Sequence, residues 1–415
     1  MHFGCVQIVG WRRWLVAWMI GVCLATLAWS APPRPRGPVH TNPLNNDPLV
    51  REAYQHYYSL DYSGAVERLE RFHQMHAGDP QASALLLNAL VFQELFRKDL
   101  LDTTFYSNDG FLSGHHATDE DPKVRDQIFS LSDEAVREAD WRIQHNPNDA
   151  DAYFARAWTR SLRCTYVAMV ERGFGAGFKL ANKAREDAQR ALQLQPDYAD
   201  AELITGVYQY VVGALPLPFK ILIGFAGMTG SKSTGLAMLH DAGDRSPIVS
   251  VEARTAIALF LRREARYREA IEIVRGMKRQ YPHNFLFWLE EANLRKDAGE
   301  GMAGVEAYRE IVAADSKPGF FGETRMELAY FGLGEALRGQ RHAREAAEAY
   351  EHAAWTPGAG SELKIRSLLA AGECRDLTGE RQLAVRDYQA SIDAGPGTSR
   401  ADTARKRLRS PYKGN

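Results

Sequence analysis

Residues 330–353, YFGLGEALRGQRHAREAAEAYEHA, and residues 368–396, LLAAGECRDLTGERQLAVRDYQASIDAGP, carry the same kinds of residue in the same order. Tyr330, Leu333, Gly334, Ala346, Tyr350 and Ala353 of the first are answered by Leu368, Ala371, Gly372, Ala384, Tyr388 and Pro396 of the second. A Gly or Ala on each of two crossing helices lets their backbones approach, and an aromatic ring or Leu one turn away fills the space beside them. A unit recurring in the mid to high thirties of residues, with small residues at the crossings, predicts a solenoid of paired helices. A solenoid of this kind is normally a binding surface.

Upstream the same arrangement continues. Trp288, Ala292 and Gly299 open a pair in which Gly304 stands before Tyr308, and Tyr267, Ala270, Val274 and Pro282 repeat the pattern. Ala184, Ala188 and Ala191 share one helical face that stops at Pro196, and Leu60 to Ala65 forms a turn into a helix continued by Leu69 and Phe72 and ended near Pro80. At these residues the chain resembles the tetratricopeptide repeat (TPR) family. The resemblance implies an all-α, TPR-like helical solenoid of about eight helix pairs over residues 49–409, with a short tail at 410–415.

Three insertions break the period, near 98–125, 164–178 and 215–234, and insertions in a solenoid collect on one face. The third holds Gly227, Gly230, Lys232, Gly235 and Leu236. It resembles a segment of the eukaryotic inclusion-body-clearance TPR proteins, with Met228 where that pattern has Phe and Lys232 where it has Arg. Residues 396–408 resemble the periplasmic TPR proteins of the Tol-Pal and outer-membrane assembly systems, and a basic amphipathic cap helix from Arg400 to Arg409 gives the same letters.

The N-terminus is a separate object. Arg12 and Arg13 precede an apolar stretch from Trp14 to Trp29, and Ala28 and Ser30 are small where a signal peptidase reads, so residues 1–30 are expected to be a signal peptide cleaved before Ala31. An uncleaved anchor is the alternative, although the run falls short of the roughly 18 residues of a spanning helix. Cys23 raises a lipoprotein, against which Val22 stands where a small residue is wanted. Residues 31–48, with Pro32, Pro33, Pro35, Pro38, Pro43 and Pro48, predict an extended tether.

Charge excludes more than it suggests. With 51 basic against 52 acidic residues, no global field favours nucleic acid or an anionic membrane. Cleavage would leave only Cys164 and Cys374, too few and too far apart for a disulfide framework, which predicts small core residues. The expected location is outside the cytoplasm, in the periplasm or cell envelope.

Constellations with chemistry are sparse. The glycines, Lys232 and Ser233 of residues 224–233 fail as a phosphate loop, because Ser231 separates Gly230 from Lys232 and the flanks are helical, so glycines packing helix backbones is the better reading. The first insertion carries Asp109, His115, His116, Asp119, Glu120 and Asp121, a mix that could ligate a divalent metal. A metal-dependent enzyme centred there is the alternative to a solvated acidic loop. No hydrolase elbow or zinc-protease motif occurs, and no cofactor is called for. The apolar run from Leu215 to Met228 is broken by Pro216, Pro218 and Lys220 and predicts burial against the solenoid rather than in a membrane.

In a TPR array the first helix of each pair lines the concave face. Helical spacing puts Val50, Tyr54, Tyr57, Phe154, Trp158, Leu203, Val207 and Tyr210 there in the first half, and Asn293, Lys296, Glu335, Arg338 and Glu373 in the second. Tyr54, Tyr57, Phe154, Trp158, Leu203, Val207 and Tyr210 thus form an expected trough for a protein or peptide with an apolar segment, since aromatics dominate binding hot spots. The competing expectation is that the insertions fill the trough and these rings are core. The Lys/Asn array with which chaperone-type TPR clamps hold a terminal carboxylate is missing. The function expected is an exported, non-enzymatic protein- or peptide-binding scaffold that is part of a cell-envelope complex, with a membrane-attached envelope assembly factor as a further alternative.

Overall fold

Helix after helix begins where the sequence supplies an oxygen to cap it. Asp47, Asp79 and Asp121 each accept a hydrogen bond from the backbone two residues on and are each followed by Pro, whose missing N–H costs nothing at a helix start. Asp61, Asp149, Ser231 and Thr398 cap other helices by accepting from the amide three residues on, and Asn284 accepts from the amides two and three residues on. The computed structural model describes residues 37–106, 121–215 and 229–414. His115, His116 and their acidic neighbours at 109–120 lie outside these residues, as do the signal peptide and the proline-rich run at 216–228.

Among the described residues from His40 onward, seventeen α-helices form eight consecutive pairs and a terminal cap. The pairs are α1 (Pro48–Tyr58) with α2 (Tyr62–Met75), α3 (Pro80–Arg97) with α4 (Pro122–His145), α5 (Ala150–Met169) with α6 (Phe174–Leu194), and α7 (Ala199–Ala214) with α8 (Lys232–Arg245). They continue with α9 (Ser250–Arg263) and α10 (Tyr267–Gln280), α11 (Phe285–Asp297) and α12 (Met302–Asp315), α13 (Met326–Gly339) and α14 (Ala343–Trp355), and α15 (Ser361–Leu377) and α16 (Arg381–Ala394). The cap is α17 (Ser399–Arg409), packed through Ala401 and Ala404 against Ala384, Tyr388 and Ile392 of α16. The chain is an all-α, TPR-like solenoid.

The quoted letters do the packing expected of them. A Cβ on Gly334 would sit 2.7 Å from the ring of Tyr350, and one on Gly372 would sit 2.6 Å from the ring of Tyr388. The aromatic hydroxyl of each pair's second helix then donates to a side chain of the first: Tyr308 to Asn293 at 2.5 Å, Tyr350 to Glu335 at 2.5 Å, and Tyr388 to Asp376 at 2.8 Å. Between α7 and α8 the contact is backbone to backbone. A Cβ on Gly235 would lie 2.6 Å from the carbonyl oxygen of Gly206, and one on Gly230 would lie 2.7 Å from the amide nitrogen of Gly213. Gly230 and Gly235 are therefore packing residues.

Three stretches outside the regular repeat take a definite form. At 164–178 α5 runs on to Met169 and α6 starts at Phe174, so most of the extra residues lengthen the two helices. The tether over 31–48 ends sooner than expected. From His40 the chain is docked, its amide donating to the Asp197 carbonyl at 3.0 Å, while Thr41 donates to Asp200 at 2.6 Å and Gln81 donates to Asn45 at 2.6 Å. Asn42 and Asn45 are buried, and the polar side chains of this strap satisfy a carboxylate and an amide that would otherwise be orphaned in the core. The C-terminal tail also folds back, the Tyr412 amide donating to Asp376 at 2.7 Å.

The superhelix curls until its first pair meets its fifth and sixth. The Tyr58 hydroxyl of α1 donates to the Ile248 carbonyl at 3.3 Å and to Glu252 of α9 at 2.9 Å. Asn284, capping α11, returns a hydrogen bond to the Tyr58 carbonyl at 2.8 Å, and the Tyr58 and Tyr281 rings pack 4.8 Å apart. Arg325, just before α13, donates to the Phe96 carbonyl of α3 at 3.0 Å and pairs with Asp99 at 2.7 Å.

Candidate functional site

The structure places each ring of the expected trough. Tyr54, Tyr57, Phe154 and Tyr210 are buried, Trp158 is 4% exposed, and Leu203 and Val207 are half-buried against the same core. Tyr54 accepts from Asn88 at 3.2 Å, Phe154 and Trp158 stack at 5.7 Å, and Tyr210 stacks on Phe260 at 3.8 Å while donating to Glu264 at 2.9 Å. An open aromatic trough is thus corrected to a packed interior. The physical reason is packing between neighbouring helices: Tyr57 meets Phe92 of α3, Phe154 meets Tyr198 before α7, and Tyr210 meets Phe260 of α9. Cys374 is buried and Cys164 half-buried, both as free thiols.

Closure leaves a cavity of about 370 Å³ between α1, α2 and α9 to α11. Most of its wall is apolar, with Phe92, Leu259, Met277 and Phe287 among the lining. Three carboxylates, Asp102, Glu252 and Glu290, interrupt that wall. Burial pushes Glu252 up to about 7, an effect the phenols of Tyr58 and Tyr57 partly offset. Burial pushes Glu290 up to about 7 as well, against the pull of Arg262. Arg262, itself buried, donates to Asp297 through Nε at 2.9 Å and to Thr103 at 2.8 Å, and reaches Glu290 at 3.3 Å. Sequence reasoning missed both glutamates, although each sits in an apolar helical stripe, between Val251 and Ala253 and between Leu289 and Ala292 with Glu291.

A second hollow of about 720 Å³ is an open groove along α13 and α14. Its lining is acidic and aromatic: Asp315, Glu327, Glu348, Glu351, Tyr330, His352 and Trp355. Glu351 is paired with Arg386 at 2.7 Å and Arg375 at 3.4 Å. Glu327 is 3% exposed and its Oε1 has no hydrogen-bond partner, and burial raises its pKa. The Tyr330 and His352 rings stack at 5.1 Å, and Trp355 is 60% exposed with the Lys364 ammonium 4.1 Å from its ring centroid. The groove can hold cationic groups by charge and by ring faces.

Among the described residues no cluster of three or more His, Cys, Asp or Glu is placed to hold a metal ion. Among them, too, no helix is long and apolar enough to cross a membrane.

No protein-family model matches the chain, and no curated protein matches it. Solved structures do. The chain is similar to the APC/C hetero-tetramer Cut9-Hcn1, at 11% identity over 89% of this chain and 57% of that one, with a TM-score of 0.47. It is similar to a tetratricopeptide repeat protein of Parabacteroides merdae, at 14% identity over 78% of this chain and 97% of that one, with a TM-score of 0.32. It is similar to yeast Tom70, at 12% identity over 88% and 90% of the two chains, with a TM-score of 0.33. This chain thus spans 57% of the length of the Cut9-Hcn1 chain it matches.

Proposed function

We propose that this protein is a non-enzymatic scaffold that holds a partner protein by a basic segment laid in the α13–α14 groove. The acidic, aromatic lining of that groove carries the reading. Asp315 and Glu348, both exposed, have no cation within ion-pair distance among the described residues, so the groove presents unpaired carboxylates beside the exposed Trp355 ring. Arg and Lys side chains satisfy both at once, and the apolar part of their stems covers Tyr330 and Trp355. Titration calorimetry with a short synthetic peptide of arginine and leucine tests it. Saturable binding that weakens at least tenfold in Trp355→Ala and in Glu348→Gln is the expected result. Equal binding by the variants, or none by the wild type, defeats the proposal.

The scaffold is further proposed to act after export, within a cell-envelope complex. Arg12, Arg13, the apolar stretch that follows and the small residues Ala28 and Ser30 support export. N-terminal sequencing from the native host reads this directly. A start at Ala31 is expected, a lipid on Cys23 means a tethered assembly factor, and an intact Met1 contradicts cleavage.

A further inference from the structure

From Ser399 to Lys413 the chain carries six basic residues and one acid. Part of that charge is engaged within this end of the molecule. Arg400 pairs with Glu362, Arg405 pairs with Asp402 at 2.7 Å, and Arg407 pairs with Glu373 at 3.4 Å and lies 4.5 Å from the ring centroid of Tyr412. Lys406, Arg409 and Lys413 are exposed and have no carboxylate within ion-pair distance among the described residues. α17 buries Ala401 and Ala404 against α16. Lys406 and Arg409, three positions apart, are neighbours one turn from each other on its solvent side.

The α13–α14 groove is the complement of that face. Asp315 and Glu348 are its exposed, unpaired acids, and Lys364 rests over the Trp355 ring rather than on either of them. Glu348, His352 and Trp355 recur at helical spacing along α14, so one strip of that helix offers a carboxylate and an exposed ring to an incoming cation. The whole chain has 51 basic against 52 acidic residues, so two copies meet without net repulsion while these two faces attract. α17 does not serve the groove of its own chain, because Ala401 and Ala404 hold it on α16.

Resting on the groove reading above, we infer that a partner held in the groove is a second copy of this chain, whose α17 lays Lys406 and Arg409 against Asp315 and Glu348 beside Trp355. The two faces differ, so the contact is head to tail. Each copy offers α17 to one neighbour and its groove to another, and association continues past the dimer. The paired charges are exposed, so salt screens the contact.

Analytical ultracentrifugation over a concentration series tests this on the protein and its variants purified from the native host, with the N-terminus processed as in the cell. Expected is an apparent mass that rises with concentration and returns to that of the monomer at high salt, and likewise with an excess of the arginine and leucine peptide. Lys406→Glu with Arg409→Glu should leave one variant monomeric, and Glu348→Gln with Trp355→Ala should leave another monomeric. An equimolar mixture of the two should form one-to-one dimers and nothing larger, since one chain keeps only its groove and the other only its α17. A wild type that stays monomeric at every concentration overturns the inference; if the peptide still binds, the groove reading stands, and if it does not, both fall. Self-association that survives either double substitution, or a mixture that stays monomeric, overturns the inference as well.

Discussion

Trp158 shows how a single side chain separates two accounts of the molecule. At 4% exposed and stacked on Phe154, it is a core residue of the closed coil. Trp158→Ala should therefore cost about 3–5 kcal/mol of stability through an unfilled cavity, read as a large fall in Tm, whereas an unchanged melt would mean the ring stands in an open trough. Glu252 makes a prediction in pH. Its folded-state pKa is about 7 against an ordinary 4.5, so the folded chain holds its proton more tightly than the unfolded chain does. Its contribution is fully present below about pH 4.5 and is lost as pH rises through 7. Relative to Glu252→Gln, the wild type should lose stability on the order of 2–3 kcal/mol between pH 4.5 and pH 8, measured by paired denaturant melts at each pH. Parallel pH profiles for the two proteins would contradict this. Such a carboxylate was legible in principle as an acid in an apolar stripe, but a helical stripe does not say whether the acid meets solvent or a sealed wall.

The helix pairs were the most legible part of the chain, because they rest on contacts between near neighbours. Gly334 with Tyr350 and Gly372 with Tyr388 lie sixteen positions apart in both pairs, and one helix, a turn and half a helix bring them together. A break in the repeat period, as at 164–178, does not tell an added loop from an added turn of helix, and α5 and α6 took the second course. Gly206 and Gly235 test the packing between α7 and α8. Gly235→Ala would drive a methyl to 2.6 Å from the Gly206 carbonyl oxygen and the Tyr210 amide nitrogen, and backbone cannot swing aside as a side chain can. A loss of at least about 1–3 kcal/mol in chemical denaturation is expected. A neutral substitution would show that these helices do not cross at their glycines.

At the scale of the whole molecule the sequence was least informative. The repeat period reports what each pair does to the next. It is silent on Tyr58 reaching Ile248 and Glu252, or Arg325 reaching Phe96, contacts that span about half the chain. Those contacts close the first pair onto the fifth and sixth and leave Glu252 and Glu290 lining a cavity beneath them. The strap from His40 to Asp47 was hidden for a similar reason, since its Thr and Asn side chains find partners, Asp200 and Gln81, far along the sequence. The central claim is that a partner is held in the α13–α14 groove and not against the buried rings of α1, α5 and α7. Hydrogen–deuterium exchange of the full chain, with and without the arginine and leucine peptide, tests it most directly. Slowed exchange confined to residues 326–357 is the predicted result; protection of α1, α5 and α7 with the groove unchanged would contradict it.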